Sequence, residues 1–98
     1  MFNIKIGDEG HVELTGRFDA SKSKIAKEVF DEIKGTTKVD FKDLYYISSA
    51  GLSILLVTQK RLNNSGNELL LINMNDHLRE IFKYAGFDMI FKIDQPLA

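Results

Sequence analysis

The sequence predicts an α/β fold: one domain with a mixed, mostly parallel sheet and helices packed against it. Strand-like and helix-like segments alternate in the order ββαβαβαβ, which is typical of parallel strands joined by helical crossovers. Only a short turn separates the first two strands, so they form an N-terminal β-hairpin that extends one side of the sheet. The 98 residues suffice for a single domain, covering 1–98, with its own core.

Hydrophobic periodicity predicts the individual strands. Apolar and polar residues alternate over 2–6 and 12–14, as in half-buried strands, and the turn 7–10 joins them. The continuous apolar run 69–72 is expected for a central strand covered on both faces. Alternation over 89–93 predicts a last strand at an edge of the sheet. The complete set of predicted elements is strands at 2–6, 12–14, 39–47, 69–72 and 89–93, and helices at 21–34, 50–63 and 75–85.

Apolar residues at helical spacing predict the three helices. Gly35 is expected to close the first of them. In the second, four leucines share one face and Ile54 and Val57 widen the apolar stripe, so its first half should be largely buried. Gly86 fits the left-handed residue that follows the third helix.

Composition excludes several classes of function. The formal net charge is −1 and no basic patch is visible, which argues against nucleic acid and acidic membrane surfaces as ligands. Cysteine is absent, so neither disulfides nor thiolate chemistry are available. The sequence shows no signal segment and no apolar run long enough to span a bilayer, so a cytoplasmic location is expected.

The most informative segment is Ser48-Ser49-Ala50-Gly51, where a strand-like run changes abruptly into a helix-like run. A hydroxyl there lies at a helix N-terminus, where free N–H groups and the helix dipole favour a phosphate. Alternatively, Ser49 or Ser48 is simply the N-cap of the helix. Ala50 and Gly51 either permit close helix–sheet packing or leave the serine accessible to a partner.

Catalysis is not indicated. A nucleophile elbow requires Gly-x-Ser-x-Gly, and Tyr46 or Ile47 stands where the first glycine belongs. His11 and His77 are isolated, and neither belongs to a recognisable triad. No metal-ligand spacing and no phosphate-binding glycine loop is present, so no metal and no cofactor are expected.

Three carboxylates are candidates for the neighbourhood of the two serines. Asp40 belongs to the strand that leads to them, and Asp43 follows it. Asp19 leaves the second strand, and parallel strands bring their carboxyl ends to one edge of a sheet. The alternatives are a helix cap for Asp19 and solvated strand or turn carboxylates for the other two.

Two segments resemble a known family. Residues 14–19, Leu-Thr-Gly-Arg-Phe-Asp, look like its Leu-x-Gly-x-x-Asp segment, and residues 39–52 look like its strand–loop–helix signature. The chain resembles the STAS domain, the fold of anti-sigma factor antagonists and of the cytoplasmic tails of sulfate transporters. The resemblance runs through nearly the whole chain, in element order and in length.

The resemblance implies a protein-binding switch. Family antagonists bind a serine-kinase anti-sigma factor, are released when the kinase phosphorylates them, and are reset by a serine phosphatase. Carried over by position, the phosphoacceptor is Ser49, with Ser48, which stands where an aspartate is usual, as second choice. The implied partner-binding residues are Asp19, Asp40, Ser48, Ser49, Ala50 and Gly51. The alternative is an unphosphorylated adaptor, either a subunit of a lipid-transport ABC complex or a component of a signalling scaffold.

Overall fold

The computed structural model describes residues 1–7 and 9–94, which form a five-stranded sheet and three helices. The strands are β1 (Asn3–Ile6), β2 (Val12–Phe18), β3 (Thr37–Ile47), β4 (Leu69–Ile72) and β5 (Lys92–Ile93), and the helices are α1 (Ser23–Asp31), α2 (Ser49–Asn63) and α3 (Asp76–Tyr84). Short 3₁₀ turns precede α1, at Ala20–Lys22, and follow α3, at Phe87–Met89. The predicted order of strands and helices is confirmed.

The sheet is mixed and mostly parallel, as predicted. Its spatial order is β1-β2-β3-β4-β5, with β1 antiparallel to β2 and the other neighbours parallel. The N-terminal hairpin therefore extends one side of the sheet. In its turn, the Gly10 N–H donates to the Gly7 carbonyl at 3.0 Å, and Gly10 has a φ of +79°. Asp8, within the same predicted turn, lies outside the described residues.

All three helices cover the same face of the sheet. Because neighbouring parallel strands follow chain order, each right-handed crossover places its helix on that face. Burial alternates accordingly: in β4, Leu69 and Leu71 are fully buried, whereas Leu70 and Ile72 are only half-buried. The prediction that β4 is covered on both faces is therefore wrong. Four leucine and isoleucine residues in a row imitate a doubly covered strand, but only two of them enter the core.

The first helix is shorter than predicted. A 3₁₀ turn occupies its expected first residues, and α1 ends at Asp31 rather than at Gly35, which is not among the glycines with positive φ. Arg61 of α2 satisfies the last turn of α1 instead, because its guanidinium donates to the carbonyls of Ile33 at 2.8 Å and Phe30 at 2.9 Å. Arg61, which is distant in sequence, thus satisfies carbonyls at the end of the helix, as a motif with a terminal glycine often does.

Two further predictions differ from the structure at exposed apolar residues. Val57 of α2 is 64% exposed, so the first half of that helix is not largely buried. Met89 is 90% exposed and belongs to a 3₁₀ turn, so the last strand contains only Lys92 and Ile93. Gly86, with a φ of +76°, does follow α3 as predicted.

A buried glutamine connects α2 to the start of β4 and to the segment before β5. Gln59 of α2 is only 2% exposed. Its Oε1 accepts the N–H of Leu69 at 2.7 Å, and its Nε2 donates to the carbonyl of Ile90 at 3.0 Å. Both polar ends are satisfied, so burying the amide does not leave an unpaired group.

Candidate functional site

The junction between β3 and α2 lies at an edge where β2 and β3 end together. Phe18 is paired with Ile47, and the Ser48 N–H donates to the Phe18 carbonyl at 2.9 Å. Pairing between β3 and β4 stops much earlier, at Asp40 and Ile72. The carboxyl end of β3 therefore projects beyond β4. The two serines lie at the carboxyl end of a parallel strand, as the sequence predicts.

Ser48 is the N-cap of α2. Its backbone is extended, and its Oγ accepts the N–H of Gly51 at 3.2 Å. Its carbonyl accepts the N–H of Leu52 at 2.9 Å, which closes the first turn of the helix. The side chain is half-buried. Of the two serines, Ser48 thus performs the capping role that the sequence left open between them.

Ser49 is the first residue of α2, and its side chain points to solvent. The residue is exposed, and its hydroxyl forms no hydrogen bond with any residue in 1–7 or 9–94. The first turn of α2 carries no acidic side chain. The positive end of the helix dipole therefore has no anionic partner within its own first turn. At the junction, the Ser48 hydroxyl caps the helix, whereas the Ser49 hydroxyl forms no hydrogen bond among the described residues.

Close packing explains Gly51. A Cβ at this position would lie 2.8 Å from Ile47 Cγ1 and 3.2 Å from two ring atoms of Phe18. Gly51 is buried and Ala50 is half-buried. Of the two interpretations of these small residues, helix–sheet packing accounts for Gly51.

Asp19 lies beside the junction because it follows Phe18 at the end of β2. Its Oδ1 accepts the N–H of Ser21 at 3.0 Å and the hydroxyl of Ser21 at 2.5 Å, so it caps the 3₁₀ turn. The side-chain hydrogen bond from Ser21 is the main reason why the pKa of the Asp19 carboxyl lies below its ordinary value. The predicted neighbourhood of Asp19 is confirmed, and so is its alternative role as a cap.

Asp40 does not belong to this neighbourhood. Its Oδ1 accepts the backbone N–H of Lys42 at 2.8 Å and the side-chain N–H of Asn73 at 3.2 Å. Seven residues of β3 lie between it and Ser48, so the path along the strand is eight steps, or up to about 26 Å at 3.3 Å per residue. Asp43 is exposed farther along the same strand. Asp40 and Asp43 both belong to the strand that leads to the serines, but neither carboxylate lies at the end of that strand.

A stacked pair of side chains next to the junction was not predicted from the sequence. The guanidinium carbon of Arg17 lies 3.8 Å from the centre of the Tyr46 ring, and the two residues are paired across β2 and β3. The Arg17 Nε also lies 3.7 Å from Asp19 Oδ2. Neither residue belongs to a motif of its own. The parallel order of β2 and β3, which the sequence predicted, was the available signal, because it brings their last residues together.

The histidines lie away from the serines. His11 is in the N-terminal hairpin, where its Nε2 is 3.9 Å from Glu9 Oε2, and His77 is exposed in the first turn of α3. Over residues 1–7 and 9–94, no group of three histidine, cysteine or acidic side chains is arranged to hold a metal ion. In the same part of the chain, no helix is long and apolar enough to cross a membrane.

Comparison with known proteins identifies the family. The family model described as "Mlab, STAS domain" matches residues 4–93, which include every strand and helix except the start of β1. The chain belongs to the STAS-domain family. The sequence resemblance carried by residues 14–19 and 39–52 is thereby confirmed, and the strand-to-helix junction described above lies inside the matched region.

Relatives of this STAS domain bear regulatory names. A Bordetella bronchiseptica protein, BtrV, named as an anti-sigma factor antagonist, is 42% identical over 62 residues; this match covers 61% of the chain and only about half, 53%, of that protein. The anti-sigma-B factor antagonist of Listeria monocytogenes is 30% identical over 96 residues, covering 92% of the chain and 84% of the relative. These names describe regulation rather than catalysis.

A solved structure shares the fold. The Bacillus cell fate determinant SpoIIAA, in its phosphorylated form, superimposes with a TM-score of 0.68. The superposition covers 97% of this STAS domain and 92% of that chain, at 16% sequence identity. At this level of identity the likeness concerns the fold, and it confirms the α/β architecture predicted from the sequence.

Proposed function

We propose that this STAS domain is an anti-sigma factor antagonist that phosphorylation of Ser49 switches off. The unmodified chain binds a serine-kinase anti-sigma factor through the junction, the kinase phosphorylates Ser49, and a serine phosphatase resets the switch. The chain is a binding protein rather than an enzyme, and it acts in the cytoplasm, where its partners control transcription. The observation that carries the proposal is the exposed hydroxyl of Ser49, which forms no hydrogen bond among the described residues, beside a capping Ser48.

The chemistry of the helix start suits such a switch. A phosphate adds a charge of about −1.5 to −2 at neutral pH, which is large beside the formal net charge of −1. Within the free protein, the dipole of α2 and the N–H groups of its first turn stabilise the phosphate. In a complex, the same dianion would have to be desolvated against the partner. A hundredfold loss of affinity requires only about 2.8 kcal/mol, which is less than an unpaired buried charge commonly costs.

The two serines differ in how readily they could accept the phosphate. Ser49 offers a solvent-exposed oxygen whose modification breaks no hydrogen bond among the described residues. Modification of Ser48 would compete with its acceptance of the Gly51 N–H in a half-buried position. Ser48 therefore remains the second choice. Its capping role supports Ser49 by keeping the first turn of α2 formed.

The proposed docking surface consists of Asp19, Ser48, Ser49 and Ala50. Gly51 is left out of it because this residue is buried against Ile47 and Phe18. Asp19 and Ser48 are held together where β2 and β3 end, through the bond between the Ser48 N–H and the Phe18 carbonyl. Small side chains at the start of α2 leave room for the partner's main chain to approach. Asp40 is left out of this surface because it lies far back along β3.

The test is a phosphorylation and binding assay with the purified chain, ATP and the serine-kinase anti-sigma factors of the source organism. We expect one phosphate per chain by mass spectrometry, lost in Ser49→Ala and retained in Ser48→Ala. Ser49→Asp should bind the kinase at least about tenfold more weakly than the unmodified chain, because a carboxylate supplies part of the phosphate's charge. Phosphate on another residue, or full binding by Ser49→Asp, would contradict the proposal.

An unphosphorylated adaptor is the second candidate. It requires only the STAS domain that the family model identifies over residues 4–93. The two candidates differ in what the chain retains from a lysate of its source organism. Recovery of a transporter ATPase without any serine kinase, together with an unmodified Ser49 in the isolated protein, would favour the adaptor.

A further inference from the structure

A stacked arginine stands next to the proposed docking surface. Arg17 and Tyr46 form the last cross-strand pair but one of β2 and β3, directly before Phe18 and Ile47. The guanidinium carbon lies 3.8 Å from the ring centre, within the range of a cation–π interaction. This Arg17–Tyr46 stack is therefore fixed to the same two strand ends that position Ser48.

The stack leaves much of the guanidinium's hydrogen-bonding capacity unused. The Arg17 side chain is 51% exposed, and within residues 1–7 and 9–94 its guanidinium donates no hydrogen bond. Asp19 Oδ2 lies 3.7 Å from the Arg17 Nε, close enough to attract the charge but longer than a hydrogen bond. The other carboxylate oxygen of Asp19 is engaged by Ser21. An arginine has five N–H donors in a planar fork, so most of them remain available.

This geometry is suited to binding a carboxylate. The Tyr46 ring beneath the guanidinium carbon holds the side chain without using its N–H groups. A carboxylate can accept two of them side by side, and the preorganised fork loses less side-chain entropy than a free lysine would. A purely structural role is a weak explanation, because exposed ion pairs contribute little to stability. Arginine and tyrosine are, in contrast, enriched among residues that dominate protein–protein affinity.

Resting on the proposed function, we infer that Arg17 is a specificity-determining residue that binds a carboxylate of the anti-sigma partner. With Arg17, the junction carries a positive charge beside the negative charge of Asp19, whose Oδ2 lies 3.7 Å from the Arg17 Nε. A partner with an aspartate or glutamate opposite Arg17 gains a charge-assisted hydrogen bond. A partner with a lysine or arginine there is rejected by like charge. Tyr46 acts as a positioning residue by holding the Arg17 guanidinium against its ring.

The experiment measures the affinity of the unmodified chain for the purified serine-kinase anti-sigma factor by calorimetry, at low and at moderate salt. Arg17→Gln should bind about tenfold more weakly at low salt and should lose most of the salt dependence. The affinity of Arg17→Lys should lie between those of wild type and Arg17→Gln, since lysine keeps the positive charge but not the planar fork of N–H donors. The matched control is Lys38→Gln, which removes the same charge from an exposed residue at the other end of β3, and its affinity should stay within about twofold of wild type.

The outcomes separate this inference from the proposed function. If the wild-type chain is bound and phosphorylated on Ser49, and Arg17→Gln binds equally well, only the inference about Arg17 is overturned. Equal binding would also result if Arg17 served the Ser49 phosphate rather than a partner carboxylate. If the wild-type chain neither binds nor is phosphorylated, the proposed function fails and this inference with it. Melting temperatures within about 2 °C among the variants exclude unfolding as the cause of weaker binding, since exposed pairs such as this one contribute little to stability.

Discussion

Replacing Ser48 by alanine should destabilise the protein, whereas the same replacement of Ser49 should not. The Ser48 Oγ accepts the Gly51 N–H at 3.2 Å in a half-buried setting, and loss of such an N-cap costs about 1 kcal/mol, with a range of about 0.5–2. The Ser49 hydroxyl forms no hydrogen bond in the part of the chain that the structure describes, and alanine favours the helical conformation more than serine by a few tenths of a kcal/mol. The two variants should therefore differ in free energy of unfolding by about 1–2 kcal/mol.

Thermal unfolding followed by circular dichroism is the direct measurement, with urea unfolding as a second one. For a domain of this size, 1 kcal/mol corresponds to a shift of about 4–8 °C in Tm. Ser48→Ala should thus melt several degrees below wild type, and Ser49→Ala at or slightly above it. Ser48→Asp is the matched control, because aspartate caps as well as serine and also favours the positive end of the helix. It should restore the stability of wild type.

Equal melting temperatures for the two alanine variants, or a lower melting temperature for Ser49→Ala, would refute the different roles of the two hydroxyls. Either result would mean that the Ser48 cap contributes nothing measurable or that the hydroxyl of Ser49 is not free. Modification of Ser49 would then be expected to disturb the fold. A low stability of Ser48→Asp would contradict the capping geometry in particular.

Three further predictions concern positions around the site and the core. Gly51→Ala should lower the free energy of unfolding by about 1 kcal/mol, because overpacking against β3 outweighs the gain in helix propensity. The control is Gly35→Ala, which should not lower the free energy of unfolding, because its Cβ would meet nothing closer than 3.9 Å. Gln59→Leu should cost about 2–3 kcal/mol in urea unfolding, because it leaves a main-chain N–H and a carbonyl unpaired, and a cost near zero would refute the bridging role. The pKa of Asp19 is lowered, so its contribution to stability is present above the ordinary carboxyl pKa and is lost as the pH falls through the folded value. Asp19→Asn should accordingly reduce the loss of stability below about pH 4 in acid titrations of the melting temperature, and an unchanged pH profile would contradict this.

The sequence was sufficient to predict those features that depend only on residues close to one another in the chain. The alternation in β2, the helical stripe of α3 and the left-handed Gly86 are each set by side-chain periodicity or by backbone sterics within a few residues. The Ser48–Gly51 segment was recognisable for the same reason, since a cap and a helix start are local events. The parallel order of the strands followed from the alternation of elements, and with it the position of Asp19 beside the serines.

Features that depend on partners distant in sequence could not be predicted in this way. Arg61 ends α1 from another helix, and nothing near Gly35 in the sequence indicates it. Whether Leu70 faces a helix or solvent depends on which faces of the sheet the crossovers cover. The sequence by itself determined the elements, their order and the serine junction, because these follow from short-range periodicity. Only the tertiary structure decided which serine caps the helix and which is free, why Gly51 must be small, and that Arg17 stacks on Tyr46, because each depends on how two strand ends and a helix meet in space.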